Sequence, residues 1–180
     1  SIIALIFILI LGGFLSYGYY QKKTYKLQRP VVTMEIKDYG TVKIDLYPDM
    51  APNTVKNFIK LINEGYYKDL PFHRVEESLI QGGDIKGDGT GETENTIKGE
   101  FKENGYDNTL KFERGTLGLA RKDYTYYSSL SSSLVEEGYN SGYAQFFIMA
   151  KDSESLDGYY TAFGKVTEGI EIIDTISKLE

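Results

Sequence analysis

Cysteine is absent from the 180 residues, histidine occurs once, and positive charge is outnumbered. Without cysteine these residues offer no thiol nucleophile, no lipoprotein cysteine and no disulfide framework. With His73 alone, neither a Cys-His pair nor a His-rich zinc site can be assembled. Lys and Arg total 20 against 26 Asp and Glu, for a net charge of −6. Lys22, Lys23, Lys26 and Arg29 precede residue 30, so from there on 16 basic residues face 26 acidic ones. That sign repels phosphate and argues against a nucleic-acid partner. No serine lies in a G-x-S-x-G elbow, which weakens a hydrolase reading. The glycine-rich run "GDIKGDGTGETEN" is not followed by Gly-Lys-Ser/Thr, so it is no P-loop. As a calcium loop it has Asp84, Asp88 and Gly89 at suitable offsets. Lys86 and Asn95, however, stand where ligands belong, and a flexible turn is the better reading.

What is present begins with a run of 21 residues free of charge, "SIIALIFILILGGFLSYGYYQ". A stretch of about 20 apolar residues is what a helix needs to cross a bilayer core. Two readings stand: an uncleaved transmembrane anchor, or a signal segment cleaved after Ser16-Tyr17-Gly18. Length, the Gly12-Gly13 pair and the Tyr17, Tyr19 and Tyr20 cluster favour the anchor. Residues 22–30 then read as a basic tether ending at Pro30, and residues 31–180 as one domain. The chain opens on Ser1 rather than Met, and its true N-terminus is expected to lie further upstream.

Period-2 alternation in "VVTMEIKDYGTVKIDLY" predicts a β-hairpin turning at Asp38–Gly40, with Val32, Met34, Ile36, Val42, Ile44 and Leu46 facing inward. Val55, Phe58, Ile59 and Ile62 recur at helical spacing, with Gly65 as the stop. Short strands are expected around 71–75, 79–82, 116–120, 144–149 and 162–166. Ile170, Ile173, Ile176 and Leu179 mark a second helix. The Ser- and Tyr-rich segment Arg121–Tyr143 has no clear period and is expected to be a long surface loop. The pattern points to a mostly-β closed sheet with helical caps.

The stretch "LPFHRVEESLIQGGD" holds the single histidine beside Arg74, and from the residues alone His73 is open to three readings: base, ligand or packing residue. It has company, in order: "YPDMAPNTVKNF", "FHR", "QGGD", "GTLGLAR", "AQFFIMA" and "LDGYYTAFGKV". Together these resemble the cyclophilin family of peptidyl-prolyl isomerases from about Val31 to Ile173. The resemblance implies an eight-stranded antiparallel barrel capped by two helices, with an active groove on its outside. It implies that His73 is structural and that Arg74 is catalytic, without metal or cofactor. It implies a proline pocket floored by Phe147, walled by Leu79 and Leu156 and rimmed by Tyr160. Gln81 and Gln145 would line the groove, and Ala120-Arg121 would offer backbone groups to the residue before proline. For Leu79, Phe147 and Leu156 ordinary core packing is the competing reading.

Five departures from the family pattern stand out, the first being that the Arg121–Tyr143 loop is longer than usual and sits beside the groove. Arg74 and Gln81 are one residue closer than usual. Ser78 replaces a pocket aromatic, and Ser155 stands where cyclosporin-sensitive members have Trp, so weak cyclosporin binding is expected. The closing C-terminal strand of the family is not found before Glu180. The function implied is prolyl isomerisation of exported polypeptides by a membrane-tethered, extracytoplasmic domain, or a secreted one if residues 1–21 are cleaved. The alternative is a non-catalytic proline-peptide binding module.

Overall fold

The computed structural model describes residues 29–91 and 95–179. The proposed anchor at 1–21 and most of the tether lie outside these residues. Among the described residues, no helix is long and apolar enough to cross a membrane.

The predicted hairpin is β1 (Val31–Ile36) and β2 (Gly40–Leu46), in register Ile36↔Gly40. Its turn places Asp38 at φ 67° and Gly40 at φ 121°, backbone that Asp tolerates and glycine favours. Helix α1 (Pro52–Asn63) starts with proline in its first turn, where the missing N–H costs nothing. Ala51 cannot cap it. The carboxylate of Glu100, 1% exposed, does so instead. It accepts from the Asn53 and Thr54 amides, each at 2.9 Å, and from the Thr54 hydroxyl at 2.8 Å. A buried negative charge is tolerated there because it meets the orphan N–H groups at the positive end of the helix dipole. At the other end Gly65 adopts φ 73°, with Gly65 N–H donating to Ile62 O and Tyr66 N–H to Leu61 O, a Schellman stop.

Strands β3 (Phe72–Glu76), β4 (Leu79–Gly82), β5 (Thr116–Leu119), β6 (Phe146–Met149) and β7 (Thr161–Glu168) complete one antiparallel sheet. Its order is β1-β2-β7-β5-β6-β4-β3. The sheet curls around a core of Val42, Ile44, Leu46, Ile80, Leu117, Ile148 and Phe163, sealed by Val55 and Phe58 of α1 and by Ile173 and Ile176 of the C-terminal helix Ile170–Ile176.

Three expectations need correction. The sheet has seven described strands rather than eight. The end strands β1 and β3 do not pair with each other, so the architecture is a curled half-barrel. A groove of about 750 Å³ runs between them, lined in part by Val32, Met34, Phe72, Phe146 and Ile176. Helices number three among the described residues. The additional one, α2 (Ser132–Tyr139), lies in the segment expected to be a loop, and the C-terminal helix is therefore α3. Serine composition concealed α2, yet Ser131 is its N-cap, accepting from the Leu134 amide at 3.3 Å. Finally, Leu179 falls beyond α3 and is exposed, because the helix ends one turn before its apolar period does.

Candidate active site

The β3–β4 pairing runs Phe72↔Gly82 and then Arg74↔Gln81, so His73 is the extra residue of a β-bulge. Bulges re-aim the side chains that follow them, and this one sets Arg74 directly opposite Gln81. The His73 ring is turned into the protein beside Gly89, with neither nitrogen hydrogen-bonded. That placement is the one expected of a packing residue.

Directly opposed residues of antiparallel strands point to the same face. Following the register from Arg74 leads to Gln81, then Phe147, then Gly118, then Ala162, one row across five strands on the outside of the sheet. Arg74 donates from Nη1 to Gln81 Oε1 at 3.3 Å, and Gln81 donates from Nε2 to Gln145 Oε1 at 3.0 Å. Gln145 continues to the carbonyl of Gly89 at 3.4 Å. The guanidinium is also held from its Nε side by Glu76 Oε1 at 2.8 Å. Half of the Arg74 side chain stays exposed, with Nη2 facing no protein acceptor among the described contacts.

Beside this polar chain lies a second apolar cluster, made of Leu79, Phe112, Phe147, Met149 and Ala162, with Leu110, Ala120, Leu156 and Tyr160 half-buried around it. Phe147, 4% exposed, is its base. Phe112 stacks against it at 5.5 Å and the Tyr160 ring meets it edge-on at 5.9 Å. Gly118 makes this possible, since a Cβ there would overlap the Phe147 ring. The Tyr160 phenol is pushed above its ordinary value by burial, with the Arg121 guanidinium opposing the rise and the Asp123 carboxylate, to which it donates at 3.3 Å, adding to it. Leu79 is turned well into this cluster, so the packing reading holds for it alongside any role as a wall.

The remaining expected site residues sit around this cluster. The Ala120 N–H is taken by Gln145 O at 2.9 Å, so of its backbone groups only the carbonyl side is available to a peptide. Arg121 turns its side chain inward, 3% exposed. Ser78 forms the two-residue β3–β4 turn with Glu77 and gives its carbonyl to Ala150 and Lys151, so no aromatic side chain reaches the pocket from there. Ser155 is exposed, with its hydroxyl 3.1 Å from that of Ser153. Gly118, Phe112 and Glu76 were not foreseen. Glu76 had a legible signal, because two residues apart on a strand it must share a face with Arg74.

Next to Gln81, Ala120 and Gln145 opens a second cavity of about 750 Å³, bounded by Asp84 and by Glu137 of α2. Burial raises the Asp84 carboxyl, but amides of Gly89, Asp88, Gly91 and Lys86 outweigh it and hold the group below the usual carboxylate range. Residues 84–91 of the glycine-rich run are therefore a loop tied around their own aspartate.

Comparison with known proteins decides the family. Residues 31–180 match the model of "Cyclophilin type peptidyl-prolyl cis-trans isomerase/CLD". The chain belongs to the cyclophilins. It is 38% identical over 143 residues to peptidyl-prolyl cis-trans isomerase B of Bacillus subtilis (strain 168), covering 79% of this chain and 87% of that one. A crystal structure of a cyclophilin-type isomerase from Cryptosporidium parvum superposes with TM-score 0.70 at 30% identity, over 85% of this chain and 86% of the other. The same protein crystallised in the presence of the dipeptide Ala-Pro gives 0.64 at 32% identity, over 79% and 82%. The cyclophilin reaction, cis–trans rotation about X-Pro bonds, makes and breaks no covalent bond. The inventory of missing nucleophiles is therefore no obstacle to it.

Proposed function

We propose that this cyclophilin isomerises X-Pro bonds through Arg74, with the proline ring seated over Phe147 between Leu79, Leu156 and Tyr160. The observation that carries this reading is the register row, which sets a half-exposed guanidinium one strand away from Gln81 and two from the aromatic base. Rotation about a peptide bond has a barrier of roughly 18–20 kcal/mol, because it breaks amide resonance. The twisted amide has a lone pair on the prolyl nitrogen that neither planar isomer offers. An Arg74 donor aimed there binds the transition state better than the ground state, and each 1.4 kcal/mol or so of that difference is about tenfold in rate. Gln81 and Glu76 hold the fork still, so little reorientation is needed as the bond twists. Gln145 and the backbone at Ala120-Arg121 pin the residues flanking proline.

The tethered arrangement belongs to the same reading. The uncharged run at 1–21, followed at once by a basic tether, supports a membrane-anchored domain acting outside the cytoplasm on exported polypeptides. Weak cyclosporin binding follows from Ser155, whose short hydroxyl offers no ring to stack on.

The test is isomerisation of an Ala-Pro peptide by the domain from residue 30 onward, alongside binding of the same peptide by NMR. Turnover that collapses in Arg74→Ala while binding persists supports the reading. Binding without turnover in the unsubstituted protein would overturn it and leave a recognition module, a role consistent with the missing aromatic at Ser78.

A further inference from the structure

Arg121 is the least expected side chain of the groove. It was anticipated as a backbone contact, yet its guanidinium is buried in a cage of three rings. The Tyr160 ring centre lies 4.2 Å away, that of Tyr139 5.0 Å and that of Phe101 5.6 Å. Its Nε donates to Tyr159 O at 3.0 Å and its Nη1 to Lys122 O at 2.9 Å, with Asp123 Oδ1 3.5 Å from Nη1. A planar guanidinium suits this cage because it stacks on rings while donating from its edges, which an ammonium cannot do.

The cage joins two parts of the molecule. Tyr160 is the rim of the pocket and meets Phe147 edge-on. Tyr139 is the last residue of α2, inside the 121–143 insertion. The two ends of the insertion are drawn together where the Lys122 amide donates to Ser141 Oγ at 2.7 Å, and Gly138 lets α2 pass close to Lys122 O. Asp123, also in the insertion, accepts the Tyr160 hydroxyl. Tyr160 is thus held on its face by Arg121 and at its tip by Asp123, both residues of the 121–143 segment.

We propose that Arg121 is a positioning residue, through which the 121–143 insertion sets the place of Tyr160 and so how tightly the proline ring is held. The inference rests on Tyr160 being the pocket rim, as proposed above. Because a misplaced rim weakens ground state and transition state alike, the effect falls on KM and leaves kcat nearly unchanged.

The experiment measures kcat and KM for an Ala-Pro peptide, with thermal midpoints, in Arg121→Met, Arg121→Lys, Tyr139→Leu and Tyr160→Ala. Expected is a KM increase of roughly three- to tenfold in Arg121→Met, from loss of a desolvated cation–π contact. A smaller increase is expected in Tyr139→Leu, which removes one cage wall without touching the pocket. Arg121→Lys should fall between Arg121→Met and the unsubstituted protein. Arg121→Met combined with Tyr160→Ala should be no worse than Tyr160→Ala alone. A folded Arg121→Met or Tyr139→Leu protein with lowered thermal midpoint and unchanged KM would overturn the proposal and leave the cage a stability device. If Tyr160→Ala itself leaves KM unchanged, it is the rim reading of Tyr160 that fails.

Discussion

The two faces of the sheet are built from the same strands and do different work. On the inner face of β4, β6, β5 and β7, the side chains Ile80, Ile148, Leu117 and Phe163 are fully buried and closed over by α1 and α3. On the outer face the alternate residues Leu79, Phe147, Gly118 and Ala162 form a smaller cluster, covered only by the loops that carry Phe112, Leu156 and Tyr160. Both faces are apolar, so hydrophobicity alone does not mark the site. What separates them is the lid: helices that interlock on one side, loops with half-buried rims and a charged row beside them on the other. Strand alternation thus writes a stabilising face and the proposed binding face into one sequence, residue by residue.

The contrast is sharpest if the faces are damaged separately. Ile148→Ala should cost about 2–5 kcal/mol of stability by leaving a cavity, while the folded fraction keeps near-normal kcat/KM; denaturant unfolding and isomerisation assays on one sample check both. Glu100→Ala should cost about 2–3 kcal/mol, since four donors at the start of α1 lose a charged acceptor, again with the site intact. Gly118→Ala blurs the division. Its Cβ meets the Phe147 ring, so about 1–3 kcal/mol of overpacking strain should appear together with a raised KM.

The smallest effect is expected at the loop. The Asp84 carboxyl lies below its unfolded value, near 3.9, so its contribution is fully present above that pH and is lost as pH falls through the lower folded value. Corrected for the intrinsic pH dependence of exchange, the protection of the Asp88 and Gly89 amides should therefore fall on acidification below about pH 4, and Asp84→Asn should abolish that fall. A flat profile in the unsubstituted protein would show that the loop does not need its aspartate.

Much of this was legible in the residues. Alternation located the hairpin and the buried faces of β1 and β2, and the 3.6-residue period located α1 and α3. The ordered segments around Arg74, Gln81 and Phe147 marked the candidate site, and the register sets those three in one row. Other features were hidden for physical reasons. The β-bulge at His73 depends on how two strands pair, which local sequence does not state. Gly118 looked like one more small strand residue until the ring it admits was seen across the ladder. The inward turn of Arg121 is a tertiary choice made by three aromatics from distant segments. The segment containing α2 is Ser-rich, and serine lowers helix propensity even where it caps a helix.

The central claim is that the outer row carries the chemistry and bears little of the stability. The most direct measurement is kcat/KM for an Ala-Pro peptide, together with the thermal midpoint, in Arg74→Ala. Loss of a donor used in the transition state should lower kcat/KM by about a hundredfold or more, with kcat falling and the midpoint within a degree or two of the unsubstituted protein. Retained turnover, or loss of turnover only in step with unfolding, would contradict the account.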